Sequence, residues 1–193
     1  MKRVLSATAL ALGSLAMMLL WHPAVHGADN EQTAAQAAKG NYFSAYTLDV
    51  AIDATTFKIQ REAAVLPTNV LRGDTFITEG LIYPGGTLPS GSTPFPPTSI
   101  KPIGKWVCRG VFQIGSAQIA AGGKPLVYST QYFLLDNGTS IVTEGPEGGG
   151  DFLRAIIGGW DDGIGVRGDV LESPIGSNST GLFNDRFTFR IRG

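Results

Sequence analysis

From Leu182 to Arg192 the side chains alternate almost without fault. Phe183, Asp185, Phe187, Phe189 and Ile191 fall on one parity, and Asn184, Arg186, Thr188, Arg190 and Arg192 on the other. Successive side chains of a strand point to opposite faces, so this period of two predicts an extended segment with one buried face and one wet face. The three arginines read as a solvated face or a subunit contact. The same period runs through Phe43–Gln60, where Tyr46, Leu48, Val50 and Ile52 alternate with Thr47, Asp49, Ala51 and Asp53. This predicts one long strand or a strand pair. Asp49 lies on its less apolar face, where a solvated carboxylate is the ordinary reading.

Further strands are predicted at Thr75–Tyr83, Lys105–Ile114, Leu126–Leu135, Thr139–Gly145, Leu153–Gly159 and Ile164–Glu172. In the first of these, Glu79 shares its parity with Ile77 and Leu81, which makes it either a pocket carboxylate or a rim charge. In the second, Trp106, Cys108, Gly110, Phe112 and Ile114 share a face suited to a barrel interior, with Gly110 leaving room. Cys108 there is a small buried hydrophobe before it is a nucleophile. Asp136-Asn137-Gly138 between two β-rich runs is a strong hairpin signal. Tyr132, just before it, belongs to a strand on which neither face is plainly the inner one.

Glycine crowds the stretch from Ala155 to Glu172, at Gly158, Gly159, Gly163, Gly165 and Gly168. That density suits a tight hairpin at the rim of a curved sheet, where backbones approach closely. A phosphate-binding loop has similar composition, but it needs a following helix and a lysine, and neither is present. Pro84–Pro102 is rich in proline and glycine, which excludes regular structure. Its length points to a functional or mobile loop, and Leu88, Phe95 and Ile100 suggest a lid folded over a barrel mouth. Gly115–Lys124 and Ser173–Thr180 read as connections. Asn137-Gly138-Thr139 and Asn178-Ser179-Thr180 match the glycosylation sequon. The tally is about eight strands. This predicts an all-β chain forming an eight-stranded antiparallel β-barrel, which closes its own edges and can hold one small ligand.

The N-terminus changes the chemistry on offer. Lys2 and Arg3 precede an apolar run from Val4 to Trp21, and small residues lie near Gly27. This is the pattern of a signal peptide over residues 1–27, followed by a flexible leader, 28–42, and one barrel domain, 43–193. A secreted or periplasmic protein is expected, without membrane attachment once the signal is cleaved. Cleavage removes both histidines, His22 and His26, and leaves one cysteine, Cys108. That argues against Ser-His-Asp and Cys-His catalysis and against histidine-ligated metals, so neither a metal site nor a cofactor is expected. No disulfide can form within the chain. The net charge of −1 and the lack of basic runs make nucleic acid a poor partner.

Three motifs in order resemble the allene oxide cyclase and dirigent barrel superfamily. Asp74–Tyr83 resembles the family's strand that follows Gly-Asp and ends in Leu-Tyr. Leu135–Pro146 resembles its hairpin and next strand, and Ala155–Gly168 its glycine-rich segment at equal spacing. Phe187-Thr188-Phe189 also fits. The resemblance implies an eight-stranded barrel, often a homotrimer, that binds an apolar or phenolic molecule and steers its cyclisation or coupling without a cofactor. It places Asp49 where the family carries an acidic residue, Arg167 at the family's Ala-Arg-Gly arginine, and Cys108 near a pocket cysteine of the cyclases. The chain departs from the family at Gly80, near which the cyclases hold a water with an asparagine. It departs again at Trp160-Asp161-Asp162-Gly163 in the glycine motif.

The expected site therefore comprises Asp49 or Glu79 as acid or base, with Arg167 neutralising an anionic group. Trp106, Cys108, Phe112 and Tyr132 are expected to shape the pocket, and Asp161 and Asp162 to stand at its rim. The alternative is a non-catalytic binding or structural barrel filled by side chains.

Overall fold

The computed structural model describes residues 44–60, 70–124 and 126–192. The expected signal peptide and leader lie outside these residues. Among these residues nine strands form: β1 (Ser44–Gln60), β2 (Thr75–Pro84), β3 (Gly91–Thr93), β4 (Gly104–Phe112), β5 (Val127–Leu135), β6 (Ser140–Glu147), β7 (Phe152–Trp160), β8 (Arg167–Asn178) and β9 (Phe183–Arg192). A one-turn helix, α1 (Ser116–Ala120), sits between β4 and β5, and a 3-10 turn, Asp161–Gly163, joins β7 to β8.

Neighbours pair in the order β8-β7-β6-β5-β4-β2-β1-β9, and β9 returns to β8. Every pairing in this ring is antiparallel, so eight strands close into a barrel with no free edge. The predicted barrel is therefore the observed one. Its first segment is a single strand of 17 residues with a register shift between Asp53 and Lys58, rather than a pair. β8 starts three residues later than expected and runs on through the supposed connection to Asn178.

Inward-facing apolar residues make the main core. Leu48, Val50 and Ile52 of β1 meet Trp106, Phe133, Ile141, Ile156, Val170, Phe187 and Phe189. Phe133 packs edge-on against both Phe187 and Phe189, with centroids 4.9 and 5.0 Å apart. Trp106 tilts against Phe187 at 6.4 Å. Gly110 does leave room, and the ring of Phe76 takes it, since a Cβ on Gly110 would lie 2.8 Å from that ring. The glycine-rich hairpin is a close backbone crossing as predicted: a Cβ on Gly159 or on Gly163 would collide with the carbonyl oxygen of Ser140.

The proline-rich segment is not a lid over the mouth. Leu88, Phe95 and Ile100 pack on the outer wall of the barrel, with Ala51, Tyr83, Leu81 and Ile175. Part of it, β3, adds to β8 as a short parallel strand. The segment is a strap across the outside of β1, β9 and β8. A polar seam holds its far end: Asn184 Nδ2 donates to Thr93 Oγ1 at 2.8 Å, and Asn178 Nδ2 to Ile52 O at 2.9 Å. The Asn178 amide is thus buried beneath the strap and spent on hydrogen bonds, so the sequon match there is accidental. At Asn137 the side chain accepts from Thr139 N at 3.0 Å, closing the hairpin turn.

Candidate functional site

The interior is apolar at one level and charged at the next. Inward parity on β4 to β9 places Cys108, Ser129, Gln131, Thr143, Glu147, Arg154, Glu172 and Asp185 within the barrel, toward the end that carries the β6–β7 and β8–β9 turns. Arg154 is the hub and its side chain is fully buried. Its NH2 donates to Ser129 O and Oγ, both at 2.9 Å, and its NH1 to Gly145 O and Pro146 O at 3.2 and 3.1 Å. It stands 3.7 Å from Glu147 and 3.5 Å from Glu172. Gln131 Nε2 bridges the same two carboxylates, donating to Glu147 at 2.8 Å and to Glu172 at 3.0 Å. Cys108 Sγ donates to Glu147 Oε1 at 3.3 Å. Two carboxylates thus share one guanidinium among the described residues, and the charge of one of them, Glu147, is felt at a third acid, Asp185.

Two of these acids bind protons far more tightly than a carboxyl in water. Burial pushes Glu172 well above the usual range, and the charge of Glu147 adds to that; Arg154 and Gln131 oppose it only in part. Burial, then the charge of Glu147, lifts Asp185 to about 7. Asp185 is 3 % exposed, and among the described residues no hydrogen bond reaches its carboxyl. Burial and the charge of Glu147 also raise the Cys108 thiol well above its ordinary value, so it stays protonated at neutral pH and is no nucleophile. A second buried group lacks a partner: the indole N–H of Trp106, on the same inner face as Cys108. Solvent reaches the cluster at Glu147, whose side chain is 12 % exposed at the end of β6.

The structure brings Trp106, Cys108 and Phe112 together on the inner face of β4, where the sequence placed them. It does not gather the other expected residues there. Asp49 is fully buried, but on the outer wall beneath the strap, where Arg186 Nε and NH2 donate to its two oxygens at 2.8 and 3.1 Å and Leu88 N at 2.9 Å. Glu79 is exposed on the outside of β2, because the inward parity belongs to Phe76, Thr78, Gly80 and Ile82. Tyr132 faces outward, with the Arg109 guanidinium 5.3 Å from its ring centroid. Arg167 is exposed and lines a shallow outer-wall depression of about 390 Å³ with Leu153, Asp169 and Arg192. Asp161 and Asp162 are exposed in the turn after β7, and Asp161 adopts a positive φ of 53°. The interior residues missed by the sequence reading had one signal. Arg154, Glu172 and Asp185 are charges on otherwise apolar parities, next to Ile156, Val170 and Phe187.

No protein-family model matches the chain, and no curated protein matches it either. Among solved structures the barrel is similar to a pyocyanin demethylase, with a TM-score of 0.51 and 16 % identity over 77 % of this chain and 100 % of the other. It is similar also to a pterocarpan synthase dirigent protein, with a TM-score of 0.50 and 14 % identity over 78 % and 86 %. A heme-binding cyclase that catalyses a [4 + 2] cycloaddition superposes with a TM-score of 0.43 and 15 % identity over 98 % and 84 %. The first two share its architecture, a closed β-barrel. At these identities the likeness is one of fold.

Proposed function

We propose that this protein is an exported barrel that binds a small, largely apolar or phenolic molecule in its interior and steers cyclisation, isomerisation or coupling by proton transfer. The observation that carries the reading is the buried cluster of Glu147 and Glu172 around Arg154, with Asp185 in the field of Glu147, next to the aromatic layer of the core. A carboxyl poised near neutrality is populated as acid and as base together, which is what general acid–base chemistry requires. In this reading Asp185 exchanges the proton, Arg154 and Gln131 hold Glu147 and Glu172 in place, and Trp106 and Phe187 flank the ligand. Asp49 and Arg167 act on the outer wall instead. Export rests on the N-terminal pattern. The family's trimer belongs to the same proposal; Leu153, Ile157 and Trp160 are exposed apolar side chains that such an assembly would cover.

One observation favours a second reading, a barrel filled by its own side chains: the ring contacts among Trp106, Phe133, Phe187 and Phe189. Native mass spectrometry of protein purified from its own host separates the two. A retained small molecule, converted by the wild type and not by Asp185→Asn, supports the first reading. A barrel that retains nothing and converts nothing supports the second.

A further inference from the structure

The internal network leaves two groups over. Glu147 and Glu172 are held by Arg154 and Gln131, and Cys108 adds a donor to Glu147. Asp185 has none of these, although it is on the inner face of β9 and almost wholly buried. The Trp106 indole N–H is fully buried and has no partner among the described residues. Its ring lies against Phe187, the next inward residue after Asp185 on β9. A bare carboxyl and a bare N–H donor therefore stand near one aromatic ring, in a field set by two further acids and one base.

We infer that Asp185 is the counter-ion site for a small organic cation, whose apolar or aromatic body lies against Phe187 and Trp106 and whose oxygen accepts from the Trp106 N–H. The inference rests on the reading that the interior holds a small molecule, and it names the charge of that molecule. Charge balance favours a cation: with Glu172 protonated, Glu147 and Arg154 offset each other, so an ionised Asp185 leaves one negative charge for the ligand to balance. The charges that act on Asp185 are those of Glu147 from β6 and Glu172 from β8, and Arg154 from β7 is paired with those two. Cys108 on β4 stays neutral. The proton on Asp185 already occupies the position of such a cation, held by burial and by the charge of Glu147. An ammonium in its place would satisfy the carboxyl by a charge-assisted hydrogen bond and gain from the aromatic faces beside it.

Three phenols that differ only in their head group test this: tyramine, which is cationic, tyrosol, which is neutral, and 4-hydroxyphenylacetate, which is anionic. Their affinities for the full-length protein are measured by titration calorimetry at pH 5 and pH 8, in buffers of different ionisation enthalpy. Tyramine is expected to bind at least tenfold more tightly than tyrosol at pH 8. Its advantage should shrink at pH 5, and at intermediate pH its binding should release a proton. Asp185→Asn, a near-isosteric change at a carboxyl that is protonated at low pH, should fold normally and abolish the preference. The wild-type series decides the matter even if that variant does not fold. Tyrosol or 4-hydroxyphenylacetate binding as tightly as tyramine would overturn the cation site and leave the small-molecule reading standing. Binding of none of the three overturns the cation site, and the mass spectrometric experiment then decides the broader reading separately.

Discussion

Asp49 and Arg186 pair across β1 and β9 on the outside of the barrel, and the two ends of the pair lie in different media. Asp49 is fully buried under the strap, while the Arg186 side chain is one-third exposed. The carboxylate has given up its water and the guanidinium only part of it. The hydrogen bonds that Arg186 donates to Asp49 raise the Arg186 pKa further, and Leu88 N donates to the same carboxylate.

Removing the two partners should therefore have unequal effects. Arg186→Ala leaves a buried carboxylate with one hydrogen bond, a loss of roughly 3 kcal/mol or more. Asp49→Asn keeps an oxygen for Leu88 and lets Arg186 turn to water, a loss of roughly 1–2 kcal/mol. Urea denaturation of both variants checks the order; an equal or inverted order would show that the pair does not anchor the strap.

Stability should fall as pH rises from about 4 to 7. The sign follows from Asp185, whose folded pKa of about 7 lies above the ordinary carboxyl value near 4. Between those values the unfolded chain has released a proton that the folded chain retains, so the folded state binds more protons and raising the pH favours unfolding. Glu172 shifts in the same direction and strengthens the trend. Asp185→Asn should flatten the profile and be more stable than wild type at pH 8, as followed by thermal melts across the range. A wild-type profile that rises through this window would contradict the assignment.

Arg154→Met should be among the most damaging single changes in the barrel. It leaves Glu147 and Glu172 facing each other without a counter-charge and strips donors from the carbonyls of Ser129, Gly145 and Pro146. Breaking a buried pair of this kind costs about 3–5 kcal/mol. Adding Glu172→Gln to Arg154→Met should recover part of that loss, and chemical denaturation of the single and double variants measures how much.

Gly110→Ala should overpack the interior, since its Cβ would meet the Phe76 ring, the Ser129 Cβ and the Tyr128 carbonyl, each at 2.8 Å. The expected loss is about 1–3 kcal/mol. Glu79→Gln, on the outer surface, should lie within about 0.5 kcal/mol of wild type and leave ligand retention unchanged. An effect on retention from Glu79 would place the site elsewhere.

The barrel was legible because its strands obey a period of two and its turns carry Asn-Gly and paired glycines. The inner face was legible where the alternation was clean. On β9 the parity of Phe183 to Ile191 is the interior, and on β4 the parity of Trp106 to Phe112 is the interior. It was not legible on β2 or β5, which carry apolar residues on both faces. On β2 the reason is physical: Leu81 faces outward but packs under the strap, so Glu79 shares its parity with a covered residue while being exposed itself. The alternation puts Asp49 on the less apolar, outward face, but the family resemblance draws it into the site, and its burial depends on the path of a segment whose composition says only that it is irregular. The polar cluster was the largest omission. Each of its members is a lone charge in a separate strand, and only the register from β6 round to β9 brings them together.

The ring closes through β9, which pairs with β8 just before it and with β1 some 140 residues earlier, as in Ser44 opposite Ile191. One of its seams is local and the other spans nearly the whole domain. Contacts so distant along the chain are slow to find, because the entropy of closing the intervening loop is lost before any contact is gained. During synthesis on the ribosome, β1 must wait with one edge unpaired until β9 has emerged, so its alternating apolar face is the segment most in need of a chaperone.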